Sequence, residues 1–178
     1  MVSKWKAVGA AMCASVAMLA NAAGADTVGT IGVALTVTNA CVVNGSAAVQ
    51  ANGGQLGQIT FPDQPGLFGD VNGELIATGT SGALSVLCSP GAAPSLVVGP
   101  GSNDLAGARR LAHNGTAVAY RLFSDAGRTT EITIGQRLSL PVATTTPTLV
   151  PLYARVSSQG VILPAGIYTD TVQVTLSW

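Results

Sequence analysis

Lysine is almost missing from this sequence, and histidine, aromatic and charged residues are scarce. The two lysines, Lys4 and Lys6, lie at the start of the chain, and charged residues make up 9% of it. After the first 25 positions, six arginines oppose eight acidic residues, a net charge of −2. Because nucleic-acid binding needs an extended basic surface, this composition argues against a nucleic-acid partner.

Groups for catalysis or metal binding are equally scarce. The single histidine, His113, precedes Asn114-Gly115, a pair typical of a hairpin turn. A hydrolytic triad or a zinc site needs more such groups than this chain offers. Paired carboxylates stay an open alternative that no spacing favours. Three acidic residues stand apart in the sequence: Asp104, Asp125 and Asp170. We therefore expect no enzymatic activity, no metal and no cofactor.

The first 25 residues have the three parts of a secretory signal peptide. Lys4 and Lys6 precede an apolar run over residues 7–20, and small-x-small triplets end at Ala22 and Ala25. The run is too short to span a bilayer comfortably, which disfavours a membrane anchor. We therefore predict export, with cleavage after Ala22 or after Ala25.

Two cysteines, Cys41 and Cys88, remain in the exported chain. In an oxidising compartment an even count indicates one disulfide. It would close a loop of about 47 residues and contribute on the order of 4 kcal/mol in the chain-entropy model. Two free thiols or a metal pair are the alternatives, and a single histidine makes the metal pair a poor site.

Apolar residues recur at every second position, and Gly, Pro and Asn interrupt them about every ten residues, which predicts an all-β sandwich or barrel. Pro141 and Pro151 interrupt apolar runs, and because proline cannot donate to a ladder, both mark edges, bulges or breaks. The Arg109-Arg110 pair is expected in a solvated turn. Strands are predicted over 30–43, 57–61, 82–89, 95–99, 117–125, 131–143, 149–157 and 167–178.

The first predicted strand is unusually regular. Its apolar residues, Ile31, Val33, Leu35 and Val37, alternate with small or polar ones, so one face of the strand must be buried. Two hypotheses are open at this point. The strand packs within its own domain, or it is lent to a neighbouring chain.

The last predicted strand also has one apolar face, made by Val172, Val174, Leu176 and Trp178. The printed sequence stops on this strand with an aromatic residue. We expect an edge that is exposed to pairing by another chain.

Two stretches and the cysteine pair are similar to those of one known family. The stretch PAGIYTDTVQVTLSW, 164–178, is very similar to a closing motif P-x-G-x-Y-x-D-x-hydrophobic-x-V-x-hydrophobic that ends in an aromatic residue. The stretch YRLFSDAGRTTEI, 120–132, resembles a second motif, with Phe123 where a tyrosine is common. Together with Cys41 and Cys88, these motifs resemble the spore coat protein U domain family. Its best-understood members are pilins of the archaic, Csu-type chaperone–usher pathway.

The resemblance implies an immunoglobulin-like sandwich that lacks its final strand and is completed by donor-strand complementation. The implied partners are a periplasmic chaperone, an outer-membrane usher and neighbouring pilin subunits. The implied organisation is a signal peptide over 1–25, a donor-strand segment over 26–38 and a sandwich domain over 39–178. The donor side chains would be Ile31, Val33, Leu35 and Val37, and the acceptor or chaperone-binding strand would carry Val172, Val174, Leu176 and Trp178.

The function expected from this resemblance is a structural subunit of a surface fibre that serves adhesion or biofilm formation. One alternative is a spore-coat or extracellular matrix protein that does not polymerise. A tip adhesin is disfavoured because the chain has the length of one domain and has a donor-like segment. A secreted enzyme is disfavoured because no catalytic constellation is visible.

Overall fold

The computed structural model describes residues 27–45, 54–79 and 82–178. The signal peptide predicted over 1–25 lies outside these residues. The chain divides into two units, 1–36 and 37–178, and every strand listed below belongs to the second. The part of the chain that the structure describes contains no helix, and therefore none that is long and apolar enough to cross a membrane.

Strands account for the regular structure throughout the described residues. Their bounds are β1 Cys41–Val43, β2 Gly57–Thr60, β3 Val71–Ala77, β4 Leu84–Cys88, β5 Ser95–Gly101, β6 Arg110–His113, β7 Thr116–Phe123, β8 Arg137–Ser139, β9 Thr148–Val150, β10 Tyr153–Val156 and β11 Val172–Ser177.

The strands form three antiparallel sheets around one core. Their orders are β1-β4-β9, β2-β3-β10-β7-β6 and β11-β5-β8. All three sheets contribute to a single cluster of buried apolar side chains, because inward-facing residues alternate with outward-facing ones along each strand. The largest fully buried members are Leu84, Leu96, Val98 and Ile132. The prediction of an all-β sandwich is confirmed.

Pro151 marks the point where the chain passes from one sheet to another. Strand β9 pairs with β4, whereas β10, two residues after β9 ends, pairs with β3 and β7. A proline cannot donate a ladder hydrogen bond, so the interruption falls where pairing has to change partners. The break predicted at Pro151 is therefore confirmed, and the strand predicted over 149–157 is two strands.

Several predicted strands are shorter than expected. In the range 30–43 only Cys41–Val43 is paired, because a strand exists only where a neighbour supplies hydrogen bonds. In the range 131–143 the structure contains Arg137–Ser139 and a single bridge at Glu131. Two strands, β3 and β6, were not predicted, since polar residues and a glycine obscure the alternation in β3 and β6 is only four residues long.

The turn predicted around Arg109-Arg110 is wrong. Arg110 begins strand β6, and Arg109 is 4% exposed. The Arg109 guanidinium donates hydrogen bonds to the backbone carbonyl oxygens of Val98 (2.9 Å), Gly99 (3.0 Å), Ile132 (2.7 Å) and Thr133 (3.4 Å). Burial lowers the pKa of this guanidinium. A buried cation is tolerated here because its donors are matched by carbonyl acceptors.

The Asn114-Gly115 pair forms the predicted hairpin turn, between β6 and β7. Both residues have positive φ, 45° at Asn114 and 82° at Gly115, which is the conformation of a two-residue turn that matches the twist of the flanking strands. His113 ends β6 directly opposite Thr116.

Cys41 and Cys88 form a disulfide, as predicted. The two residues are direct partners in the register of β1 and β4. Three residue pairs connect these strands, so the covalent bond adds a constraint where the hydrogen-bonded ladder is short. Both cysteines are 5% exposed.

Replacing both cysteines, Cys41→Ser with Cys88→Ser, should lower the free energy of unfolding by about 4 kcal/mol, because the cross-link closes a loop of about 47 residues. Urea unfolding of the exported chain, followed by circular dichroism, measures this change. Reduction of the unmodified chain is the matched control and should cause a loss of similar size. A change below about 1 kcal/mol in both would contradict the prediction.

Candidate functional site: the free sides of the first and last strands

Strand β11 lies at the edge of its sheet. It pairs with β5 along one side, and no other strand of the described residues pairs with its second side. Its apolar side chains, Val172, Val174 and Leu176, are half-buried and pack on the core. The edge strand predicted at the end of the chain is therefore confirmed.

Strand β1 lies at the edge of a different sheet. It pairs with β4, and its second side is likewise without a partner strand in the described residues. Its Val43 side chain is half-buried against the same core cluster. The Trp178 indole nitrogen donates a hydrogen bond to the carbonyl oxygen of Asn39, at 3.3 Å, so the residue that follows β11 lies beside the segment that precedes β1. We call the two unpaired sides of β1 and β11 the open edge.

The open edge combines two unfavourable features. Unpaired strand edges present backbone N–H and C=O groups in rows that another strand can bind. The apolar residues Val43, Val172, Val174 and Leu176 are only partly covered, although they belong to the core packing. Trp178 is 48% exposed. A further strand laid along this edge would bind the backbone groups and cover the apolar side chains together.

The segment 27–36, described by itself, has no strand. Its apolar row is almost fully exposed, with Ile31 at 91%, Val33 at 93% and Leu35 at 87%. Val37, the next member of the row and the first residue of the second unit, is 80% exposed. Isolated exposed aliphatic side chains are ordinary, whereas four on one face of a regular alternation are not.

Asp170 connects the two motifs that were quoted from the sequence. Its carboxylate accepts a hydrogen bond from the Tyr120 hydroxyl at 2.8 Å, from the Asn103 backbone N–H at 3.0 Å and from the Asn103 side-chain amide at 3.2 Å. A Cβ added at Gly101 would collide with this carboxylate, so the close approach requires glycine. These contacts hold the chain immediately before β11 and thereby place the open edge.

Burial raises the pKa of Tyr120, and its hydrogen bond to Asp170 raises that pKa further. The hydroxyl therefore stays protonated and donates at any ordinary pH. The sequence analysis missed this pair because the two residues are 50 positions apart. Their presence in two separate motifs was the signal that could have suggested it.

The SDAGRT part of the second motif is a structural turn. The Asp125 carboxylate accepts hydrogen bonds from the backbone N–H groups of Thr130 at 2.7 Å and Thr129 at 3.1 Å, which lower its pKa. Arg128 has a positive φ of 55°. Its guanidinium donates to the carbonyl oxygens of Ala154 (3.1 Å) and Gly73 (3.1 Å), which belong to β10 and β3.

The chain belongs to the Spore Coat Protein U domain family, whose sequence model matches residues 27–175. The resemblance drawn from the motifs is thus confirmed. The packed antiparallel sheets agree with the immunoglobulin-like sandwich that the resemblance implies.

Solved structures with a similar fold include two from chaperone–usher systems. One is the CsuC–CsuE chaperone–tip adhesion subunit pre-assembly complex from the archaic chaperone–usher Csu pili of Acinetobacter baumannii, with 19% identity, a TM-score of 0.49, and coverage of 80% of this chain and 40% of that chain. The other is the structure of a chaperone–usher pilus, with 17% identity, a TM-score of 0.39, and coverage of 84% and 94%. This chain thus spans less than half of the first matched chain. No curated protein sequence matches it significantly.

Replacing Tyr120 by phenylalanine should lower the free energy of unfolding by about 1.5–3 kcal/mol, because the lost hydrogen bond is made to an ionised carboxylate. Thermal or urea unfolding measures the effect. Tyr168→Phe is the matched control, since the Tyr168 hydroxyl donates to the Pro164 carbonyl oxygen at an exposed position, and it should cost less than about 0.5 kcal/mol. Equal losses in the two variants would refute a special role for the Tyr120–Asp170 pair.

Proposed function

We propose that this protein is a non-enzymatic structural subunit of a surface fibre, assembled by a chaperone–usher pathway through donor-strand exchange. The observation that carries the proposal is the presence, in one chain, of an incompletely covered open edge and an unpaired apolar segment. The segment of one subunit would pair along the open edge of the next. Membership of the spore coat protein U domain family supports this reading.

The physical match rests on alternation. An inserted strand with Ile31, Val33, Leu35 and Val37 on one face would place an apolar side chain toward the core at every second residue. Each fully buried aliphatic side chain contributes roughly 1.5–3 kcal/mol relative to exposure in water. Four such side chains and the hydrogen bonds of a paired strand give very slow dissociation, which a fibre subunit needs.

The opposite face of the segment carries small or polar residues. Gly32 and Ala34 add little bulk and Thr36 is polar, so this face suits the outer, solvated surface of the completed sheet. The acceptor wall would be formed by Val172, Val174, Leu176 and Trp178 on and after β11. In transit, a periplasmic chaperone would supply the same kind of strand to the same edge.

The proposed route begins with export by the signal peptide over residues 1–25. The subunit then binds the chaperone in the periplasm, passes an outer-membrane usher and joins neighbouring pilin subunits at the cell surface. The fibre would serve adhesion or biofilm formation. The alternative, a coat or matrix protein that does not polymerise, predicts the same fold but no exchange of strands between chains.

An aspartate at Val33 should prevent addition to the fibre, because it would place a charge in the apolar acceptor site. Thr36→Asp is the matched control on the opposite face, and it should polymerise normally. Both side chains are exposed in the isolated chain, so neither change should disturb the folding of the subunit. Surface material from cells that carry the native neighbouring genes is sheared off and run on SDS gels, unheated and boiled.

The unmodified protein should give a ladder spaced by one subunit that collapses to monomer on boiling, and the Val33→Asp ladder should be at least tenfold weaker. Deletion of residues 26–37 should leave a subunit that still co-purifies with its chaperone but adds to no fibre. A single monomer band in both lanes from unmodified surface material would favour the non-polymerising coat or matrix protein. Ladders of normal length from Val33→Asp would refute the donor role.

A further inference from the structure

Two arginines face each other across neighbouring strands of the five-stranded sheet. Arg121 on β7 and Arg155 on β10 are direct register partners, and their neighbours in sequence are buried, so both side chains point to the outer face. Like charges directly opposite on one face of a sheet are destabilising. In a chain with six arginines beyond its first 25 residues, this placement asks for a compensating anion.

The nearby carboxylates compensate only in part. Glu131 lies 3.7 Å from Arg121, and Asp70 lies 3.8 Å from Arg155, with the two pairs substantially exposed to water. Exposed ion pairs at such distances contribute little. The Arg155 Nε donates to the Asn72 side-chain oxygen at 3.2 Å. Neither contact is a bidentate pair of guanidinium and carboxylate, which is the strong arrangement.

The two arginines line a cleft of about 220 Å³ on this face, together with Asp70, Glu131, Arg128 and Gln159. Three of the six arginines of the exported chain thus meet in one depression, and with two acidic residues its formal charge is +1. The Arg128 guanidinium already donates to backbone carbonyls. The volume is below the roughly 300–1,000 Å³ of pockets that enclose a drug-sized ligand, and it suits a single ring-sized group.

We propose that this cleft binds an acidic saccharide, with the sugar carboxylate held by Arg121 and Arg155. The planar guanidinium groups match a carboxylate, and two of them converging on one face form a fork for one anionic group. Asp70 and Glu131 then accept hydrogen bonds from sugar hydroxyls. Gln159 and Thr129 at the rim of the cleft offer further donors and acceptors.

The flanking acidic residues favour a saccharide over an acidic peptide. A uronic acid unit carries one carboxylate among several hydroxyl donors, so the carboxylate and the hydroxyls find partners of opposite kind. A run of glutamate or aspartate residues brings adjacent carboxylates against Asp70 and Glu131, where they are repelled. The formal charge of +1 likewise matches one carboxylate.

The cleft is separate from the open edge. Strands β7 and β10 lie inside their sheet, with neighbours on both sides, whereas β1 and β11 are edges of the other two sheets. If the proposed fibre forms, the cleft repeats once per subunit, and a weak single site gains strength by multivalency. This last step rests on the proposed function, but binding by one subunit does not.

Calorimetric titration of the exported chain with tetragalacturonate tests the proposal, with maltotetraose as the neutral ligand and a tetraglutamate peptide as the acidic one. We expect saturable binding of tetragalacturonate and none of maltotetraose. The double variant Arg121→Gln with Arg155→Gln should bind at least tenfold more weakly. Arg137→Gln, which removes an exposed arginine of β8, is the matched control and should bind like the unmodified chain.

Thermal unfolding of each variant confirms that the fold is retained. Arg121→Gln alone keeps the test decisive if the double variant misfolds, since the Arg121 side chain is 67% exposed, and it should weaken binding at least threefold. Absence of saturable binding, equal binding by Arg121→Gln, or equal affinity for tetraglutamate would overturn the proposal. These outcomes leave the gel ladder unaffected, so failure of the cleft and failure of fibre assembly are distinguished.

Discussion

Backbone pairing at the open edge is the constraint around which this structure is organised. Strands β1 and β11 each use one side for a neighbour and leave the other without one among the described residues. The side chains that these strands contribute to the core remain half-covered, since coverage has to come from a strand laid alongside. Exposed rows of backbone donors and acceptors are normally shielded in β proteins. An edge left open beside the core therefore makes sense only for a domain that another strand completes.

The elements beside this edge are held by hydrogen bonds rather than by surface charge. Tyr120 and Asn103 fix Asp170 just before β11. Arg109, buried, binds carbonyl oxygens of β5 and of the segment around Ile132. Such buried contacts are worth more than exposed ion pairs, because removing one partner leaves the other unsatisfied. A chain with few charged residues can be rigid next to its open edge in this way, and the disulfide reinforces β1 from the opposite side.

The few charges that remain at the surface are therefore informative. Strand register places Arg121 against Arg155 on the outer face of the five-stranded sheet, away from both edge strands. The molecule thus has two separate surfaces that lack a full complement of partners. One is apolar and offers backbone pairing, and the other is cationic and shaped for a small anionic group. A fibre subunit needs one surface for assembly and leaves the other free for the environment.

Local pattern was enough for the features that depend on near neighbours. Period-two alternation identified most strands, Asn114-Gly115 the hairpin, Pro151 the break between sheets and Val172 to Leu176 the edge strand. It failed where partners are distant in sequence, as with buried Arg109, the Tyr120–Asp170 pair and the facing Arg121 and Arg155. The sequence by itself determined the strand periodicity, the apolar row from Ile31 to Val37 and the cysteine pair. Tertiary structure alone decided which edges stay unpaired and which polar groups meet, because register brings together residues that alternation along one strand cannot relate.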